Sequence, residues 1–166
     1  MTSRSANLRV QFAHGLESSP QGIKARVLSQ HFDTETPAMN TRDFESCVAL
    51  HAGTLMRFQP DVLVGSSFGG AVAVALLERG LYRGPTLLLA QAAHKYRPSA
   101  RLPSGVRVLL VHAPQDAVVP FAGSQALAAT GSPELVELIE RDDDHALSKL
   151  VDSGELMTLV RHVARA

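Results

Sequence analysis

The stretch Gly65-Ser66-Ser67-Phe68-Gly69-Gly70 limits what this chain can fold into more than any other. Before it runs Asp61-Val62-Leu63-Val64, short, apolar and β-branched, which reads as a buried strand. After it, residues 71–79 read as a helix closed by Gly80. A G-x-S-x-G sequence joining a strand to a helix is the signature of a nucleophile elbow, a turn that strains the serine backbone and stands its hydroxyl clear of the sheet. Glycine is then needed at 65 and 69, because a side chain at either place would collide with the neighbouring strand or helix. Only Ser67 has glycine at both −2 and +2, so Ser67 is the candidate nucleophile and Ser66 is packing. Strand-to-helix turns are also rich in Gly and Ser for steric reasons alone, so the motif takes its meaning from what surrounds it.

What surrounds it is an alternation of strands and helices. Residues 8–13 read as a strand running into His14-Gly15-Leu16-Glu17-Ser18-Ser19-Pro20. Ser19-Pro20 predicts a helix start, with Ile23, Val27 and Leu28 on one face and an end near His31. Phe32 reads as belonging to a very short strand, and residues 33–37 read as loop. Asn40-Thr41 predicts the cap of a second helix, with Glu45 placed to reach back toward it. Phe44, Val48, Ala52, Leu55 and Phe58 step by three and four along that helix, and Pro60 ends it. Further strands are predicted at 86–90, 106–111 and 134–139, with a polar loop at 91–101 and a helix at 120–129. A terminal helix over 147–163 is interrupted near Gly154. Three of the strands lack the polar alternation of a half-exposed sheet. The pattern predicts an α/β fold of three layers, α/β/α, with a mostly parallel sheet.

Ligands in such folds sit at the carboxyl ends of the strands. There the sequence places His14-Gly15-Leu16, Ser67, Asp116 and His145, each after a different strand. A serine hydroxyl needs an imidazole to take its proton during attack and return it to the leaving group. The imidazole needs a carboxylate at its other nitrogen to hold one tautomer and stabilise its charge. Serine, carboxylate and histidine occur here in that chain order, as Ser67, Asp116 and His145. The anion formed on the substrate carbonyl needs fixed donors. The backbone N–H groups of Phe68 and Leu16 are the candidates. Each signal alone has a plainer reading: His145 as a solvated loop histidine, Asp116 as a turn residue after Pro114, His14 as a brace for its loop and His112 as hydrogen-bonded support. Asp142, Asp143 and Asp144 lie too near His145 in sequence to reach its far nitrogen and read as a solvated acidic loop.

Composition excludes several other classes. A chain of 166 residues is expected to form one domain over 1–166, burying about two thirds of its unfolded surface. No apolar run is long enough to cross a bilayer, and residues 1–9 lack the hydrophobic segment of a signal peptide. One cysteine, Cys47, excludes an internal disulfide and fits a reducing, cytoplasmic interior. Sixteen basic residues balance sixteen acidic ones, which leaves no electrostatic footprint for nucleic acid or an anionic membrane. The seven histidines match no metal-binding spacing, so no metal is expected.

His14-Gly15-Leu16-Glu17-Ser18-Ser19-Pro20 with Lys24-Ala25, and the 65–70 elbow, resemble the small lidless α/β-hydrolase esterases of the YqiA/YcfP type. His112-Ala113-Pro114-Gln115-Asp116 through Val119-Pro120 is similar to the HGxxDxxVP acid segment of α/β hydrolases, with Ala113 in place of glycine. Asp144-His145-Ala146 resembles the usual surroundings of the catalytic histidine. The resemblance implies a minimal α/β-hydrolase fold, without the antiparallel strands that open larger members. It also implies hydrolysis of carboxylic esters or thioesters through an acyl-enzyme, with no cofactor. The 91–105 connection is too short for a cap domain, which predicts an open site for a small-molecule or acyl ester. His14, Gly15, Val118 and Val119 are the expected substrate-binding residues, with Phe68 and Leu16 as further walls. Two other outcomes fit the same residues: a silent binding protein that keeps the fold, or an acyltransferase or perhydrolase using the same acyl-enzyme.

Overall fold

The computed structural model describes residues 7–165. Six strands, β1 (Arg9–Ala13), β2 (Asp33–Glu35), β3 (Val62–Ser66), β4 (Thr86–Leu89), β5 (Val108–His112) and β6 (Val136–Glu140), form one sheet. Their order is β2-β1-β3-β4-β5-β6 and every pairing is parallel. The helices are α1 (Ile23–His31), α2 (Phe44–Phe58), α3 (Phe68–Glu78), α4 (Ala93–Tyr96), α5 (Phe121–Ala128), α6 (Ser148–Asp152) and α7 (Glu155–Ala164). β3, β4 and β5 are buried along their whole length, because helices cover both faces, and this is why they carry no polar alternation.

Successive residues of one strand serve opposite faces. Val62 and Val64 join Leu28, Leu150, Leu156 and Val160 in the layer built by α1, α6 and α7. Leu63, between them, joins Val48, Val72, Leu76 and Leu127 in the layer built by α2, α3 and α5. α3 is buried from Phe68 through Leu77, which accounts for its almost unbroken apolar sequence. None of the described helices is long and apolar enough to cross a membrane.

Several local expectations are corrected. Residues 33–35 are not loop but the edge strand β2, in register with β1 from Arg9 opposite Asp33. Phe32 anchors them in the core, while their own polar side chains concealed the strand. Ser19 does not cap α1; its hydroxyl accepts from Gln21 N–H within a turn, and the helix begins after Gly22. α2 is capped by Asp43, whose Oδ1 accepts from Ser46 N–H at 3.1 Å. Glu45 does not turn back to that cap but pairs with Arg79 at 2.7 Å. The 91–101 segment holds α4, with Gln91, Ala92 and Ala93 buried. The terminal helix is broken where expected, with Gly154 at φ 82 between α6 and α7.

Gln11 and His51 form a buried polar pair on the α2 side of β1. Gln11 Nε2 donates to the His51 carbonyl at 3.1 Å and lies 2.9 Å from His51 Nδ1. Burial, with His14 nearby adding to it, pushes the His51 imidazole down to about 4.

Candidate active site

Ser67 forms the turn between β3 and α3, at φ 54 and ψ −114, a backbone conformation that L residues rarely adopt. Its N–H donates to Leu89 at 2.9 Å, and its carbonyl accepts from Ala92 at 3.1 Å, so β4 and the segment after it hold the turn in place. A Cβ at Gly65 would come within 2.6 Å of the Gly69 carbonyl oxygen, and one at Gly69 would overlap the Ala13 carbonyl. The two glycines therefore permit the close meeting of β1, β3 and α3, as expected.

His145 lies in the loop after β6, and its Nε2 stands 3.0 Å from Ser67 Oγ. Its Nδ1 stands 2.7 Å from Oδ2 of Asp116, in the loop after β5. An ionised carboxylate only accepts, so Nδ1–H donates to it, and Nε2 is left to accept from the Ser67 hydroxyl. Asp116 Oδ1 accepts from the N–H groups of Val118 and Val119, each at 2.8 Å. The Asp116 side chain has no exposed surface. Burial opposes its charge, but the His145 hydrogen bond and the two backbone donors outweigh burial and hold the carboxyl below its usual range.

The acidic run before His145 does more than face solvent. Asp144 Oδ1 accepts from Ser148 N–H at 3.0 Å, while Asp143 accepts from Lys149 N–H at 3.1 Å and Leu150 N–H at 2.9 Å. These are the first three N–H groups of α6, which have no acceptor inside the helix. The two aspartates just before His145 thus tie its loop to a helix end, where negative charge is also favoured.

The loop after β1 lies against the elbow. A Cβ on Gly15 would meet Ser67 Cβ at 3.6 Å. His14 is buried and its Nδ1–H donates to the Gly15 carbonyl at 2.8 Å. Leu16 is exposed. Phe68 opens α3, so its N–H has no acceptor within the helix. Val118 is exposed beside Asp116 and Val119 is buried. The Phe68 ring, expected as a wall of the acyl site, instead packs edge-on against Tyr96 and Phe44, with centroids 5.0 and 5.8 Å away. Phe68 opens a helix buried from Phe68 through Leu77, and its side chain belongs to that helix's core layer. Among the described residues no group of three or more His, Cys, Asp or Glu side chains is placed to hold a metal ion.

No protein-family model matches the sequence, and no curated protein matches it. Solved structures do. A candidate hydrolase of the α/β superfamily from Xanthomonas campestris pv. campestris superposes with a TM-score of 0.72 at 23% identity, over 95% of this chain and 96% of that one. A candidate hydrolase from Agrobacterium vitis S4 gives 0.75 at 18% identity, over 96% and 88%. The esterase domain of a Rhodothermus marinus protein gives 0.70 at 17%, over 99% and 89%. The fold is that of the α/β hydrolases. At these identities the likeness is one of fold, and the connection between β4 and β5 holds only α4, with no cap domain.

Sequence reasoning missed Gln91 and Ser124, both buried behind the rim of the sheet. Gln91 carried a usable signal, since it directly follows a buried strand, where the other site residues also lie. Ser124, midway along an apolar helix, carried none.

Proposed function

We propose that this chain, acting as one domain, is a serine hydrolase that cleaves carboxylic esters or thioesters through an acyl-enzyme on Ser67. The observation that carries the reading is the continuous line from Asp116 Oδ2 through His145 to Ser67 Oγ, at 2.7 and 3.0 Å. The solved neighbours described as hydrolases or esterases support it, as does the resemblance of the 14–25 and 65–70 segments to the YqiA/YcfP-type esterases.

In the first half-reaction Ser67 Oγ attacks the substrate carbonyl carbon and its proton passes to His145 Nε2. Asp116 keeps Nδ1–H in place and stabilises the imidazolium. The N–H groups of Leu16 and Phe68 receive the oxyanion, a contribution of about 3 kcal/mol for each donor in comparable sites. The bond to the leaving oxygen or sulfur breaks, and His145 returns the proton to it. Water then attacks the acyl-enzyme with the same proton path and frees the acid. Gly15 and Val118 border the acyl group, with His14 and Val119 behind them. The exposed position of Leu16 and Val118 suits small or extended acyl groups reaching an open site.

A fluorophosphonate probe should label Ser67, located by peptide mass spectrometry, and Ser67→Ala should lose turnover of p-nitrophenyl acetate. Labelling elsewhere, or full activity in Ser67→Ala, would reject the assignment.

A further inference from the structure

Next to Asp116 a buried polar chain runs through three side chains that the proposed chemistry does not use. Gln91 Oε1 accepts from Ala93 N–H at 2.8 Å, which leaves its Nε2 to donate to Ser124 Oγ at 2.9 Å. Ser124 Oγ lies 2.7 Å from Nδ1 of His112, the last residue of β5. His112 Nε2 then faces the Val119 carbonyl at 3.0 Å and Asp116 Oδ2 at 3.1 Å. Gln91, Ser124 and His112 are 2%, 1% and 0% exposed.

Donor accounting fixes the direction of this chain. Both oxygens in front of Nε2 only accept, so Nε2 carries a proton. The Ser124 oxygen already receives the Gln91 N–H, so its own hydroxyl proton goes to Nδ1. One tautomer of His112 satisfies every group, whereas the other would set a lone pair against two oxygens. Three buried polar side chains add little stability over apolar filling, and they are tolerated only when every bond is made. This chain is fully made, and it ends on the turn that carries the acid.

We propose that His112 is a positioning residue: its Nε2–H, set by Ser124 and Gln91, holds the 116–119 turn through Val119 and Asp116, and so fixes how Asp116 presents Oδ2 to His145. The proposal rests on the serine-hydrolase reading and adds a residue to it. Without this N–H the turn keeps its two bonds to Oδ1 and the Asp116 N–H bond to the Ala113 carbonyl, and Val119 loses its tie back to the end of β5. The Oδ2 oxygen also loses a nearby donor dipole, becomes more basic and favours the imidazolium form of His145.

The test compares His112→Leu, His112→Gln and Ser124→Ala with the wild type, by kinetics on p-nitrophenyl acetate and by proton NMR. Leucine removes the donor at similar volume, and glutamine returns an N–H near the place of Nε2. His112→Leu should lower kcat roughly 10- to 100-fold, the scale of a small misplacement of a reacting group, with KM little changed. Its kcat/KM profile should show the acid limb moved to higher pH, and the far-downfield proton of the His145–Asp116 hydrogen bond should weaken. His112→Gln should recover most of the loss, and Ser124→Ala should fall between. Wild-type kcat and pH profile in His112→Leu would overturn the proposal, as would equal losses in the Leu and Gln variants that follow their melting temperatures. If His112→Leu does not fold, an unchanged pH profile and NMR signal in Ser124→Ala overturns it instead. If the wild type neither labels at Ser67 nor turns over the ester, the hydrolase reading has failed. The His145 proton signal then still decides the positioning role, supported by its loss in His112→Leu and refuted by its persistence.

Discussion

Oδ2 of Asp116 and Nδ1 of His145 stand 2.7 Å apart although 29 residues separate them in the chain. β5 and β6 are parallel neighbours, with His112 opposite Glu140, so both strands release their loops at the same rim of the sheet. Pairing register, rather than any local sequence preference, brings the carboxylate to the imidazole.

That relationship sets the expected outcome of Asp116→Asn. The amide keeps the shape but offers an N–H where Nδ1–H needs an acceptor, which favours the wrong tautomer of His145. By the precedent of the same change in serine proteases, kcat should fall about ten-thousandfold. Steady-state kinetics on p-nitrophenyl acetate, with KM little altered, is the check.

Asp143→Ala should act on both stability and rate. It removes the acceptors of two N–H groups at the start of α6, a loss of about 1 kcal/mol by the usual value of a helix cap. It also frees the loop that carries His145, so kcat should drop while KM holds. Urea denaturation and kinetics on one preparation separate the two effects.

The elbow tolerates no added carbon at residue 69. Gly69→Ala would push a methyl into the Ala13 carbonyl, and overpacking of this kind costs about 3 kcal/mol. The measurement is the free energy of unfolding in urea, set against Gly53→Ala. Gly53 lies within α2 with open space at its Cβ and should be neutral or stabilised.

His51 gives a pH dependence with a defined sign. Its folded value, about 4, lies below the value of about 6.5 for an exposed histidine. The native state therefore resists protonation, and the stability it contributes is complete above about pH 6.5 and is lost as pH falls toward 4. The loss is up to about 3 kcal/mol. Unfolding free energies from pH 7 to pH 4 should fall more steeply for the wild type than for His51→Gln.

The sheet and the rim were legible in the sequence because the signals there are unbroken. Buried strands around Val62–Ser66 and Val108–His112 need continuous apolar runs, and the elbow needs its glycines. The convergence of Ser67, Asp116 and His145 followed from chain order and strand ends. β2 was hidden because three polar residues at an edge form a strand only through their pairing with β1. The cap of α2 was misplaced because Asn40, Thr41 and Asp43 are all competent caps, and the helix uses the last. The direction of the Phe68 ring and the His112–Ser124–Gln91 chain depend on backbone angle and helix placement, which composition does not encode.

The order in which the polypeptide emerges has a consequence for the proposed chemistry. Ser67 is synthesised after the third strand, but the imidazole that would activate it follows the sixth. A nascent chain still short of that strand holds a dormant hydroxyl, and acylating power arrives only when the outermost strand docks. Turnover would therefore serve as a direct reporter of completed assembly.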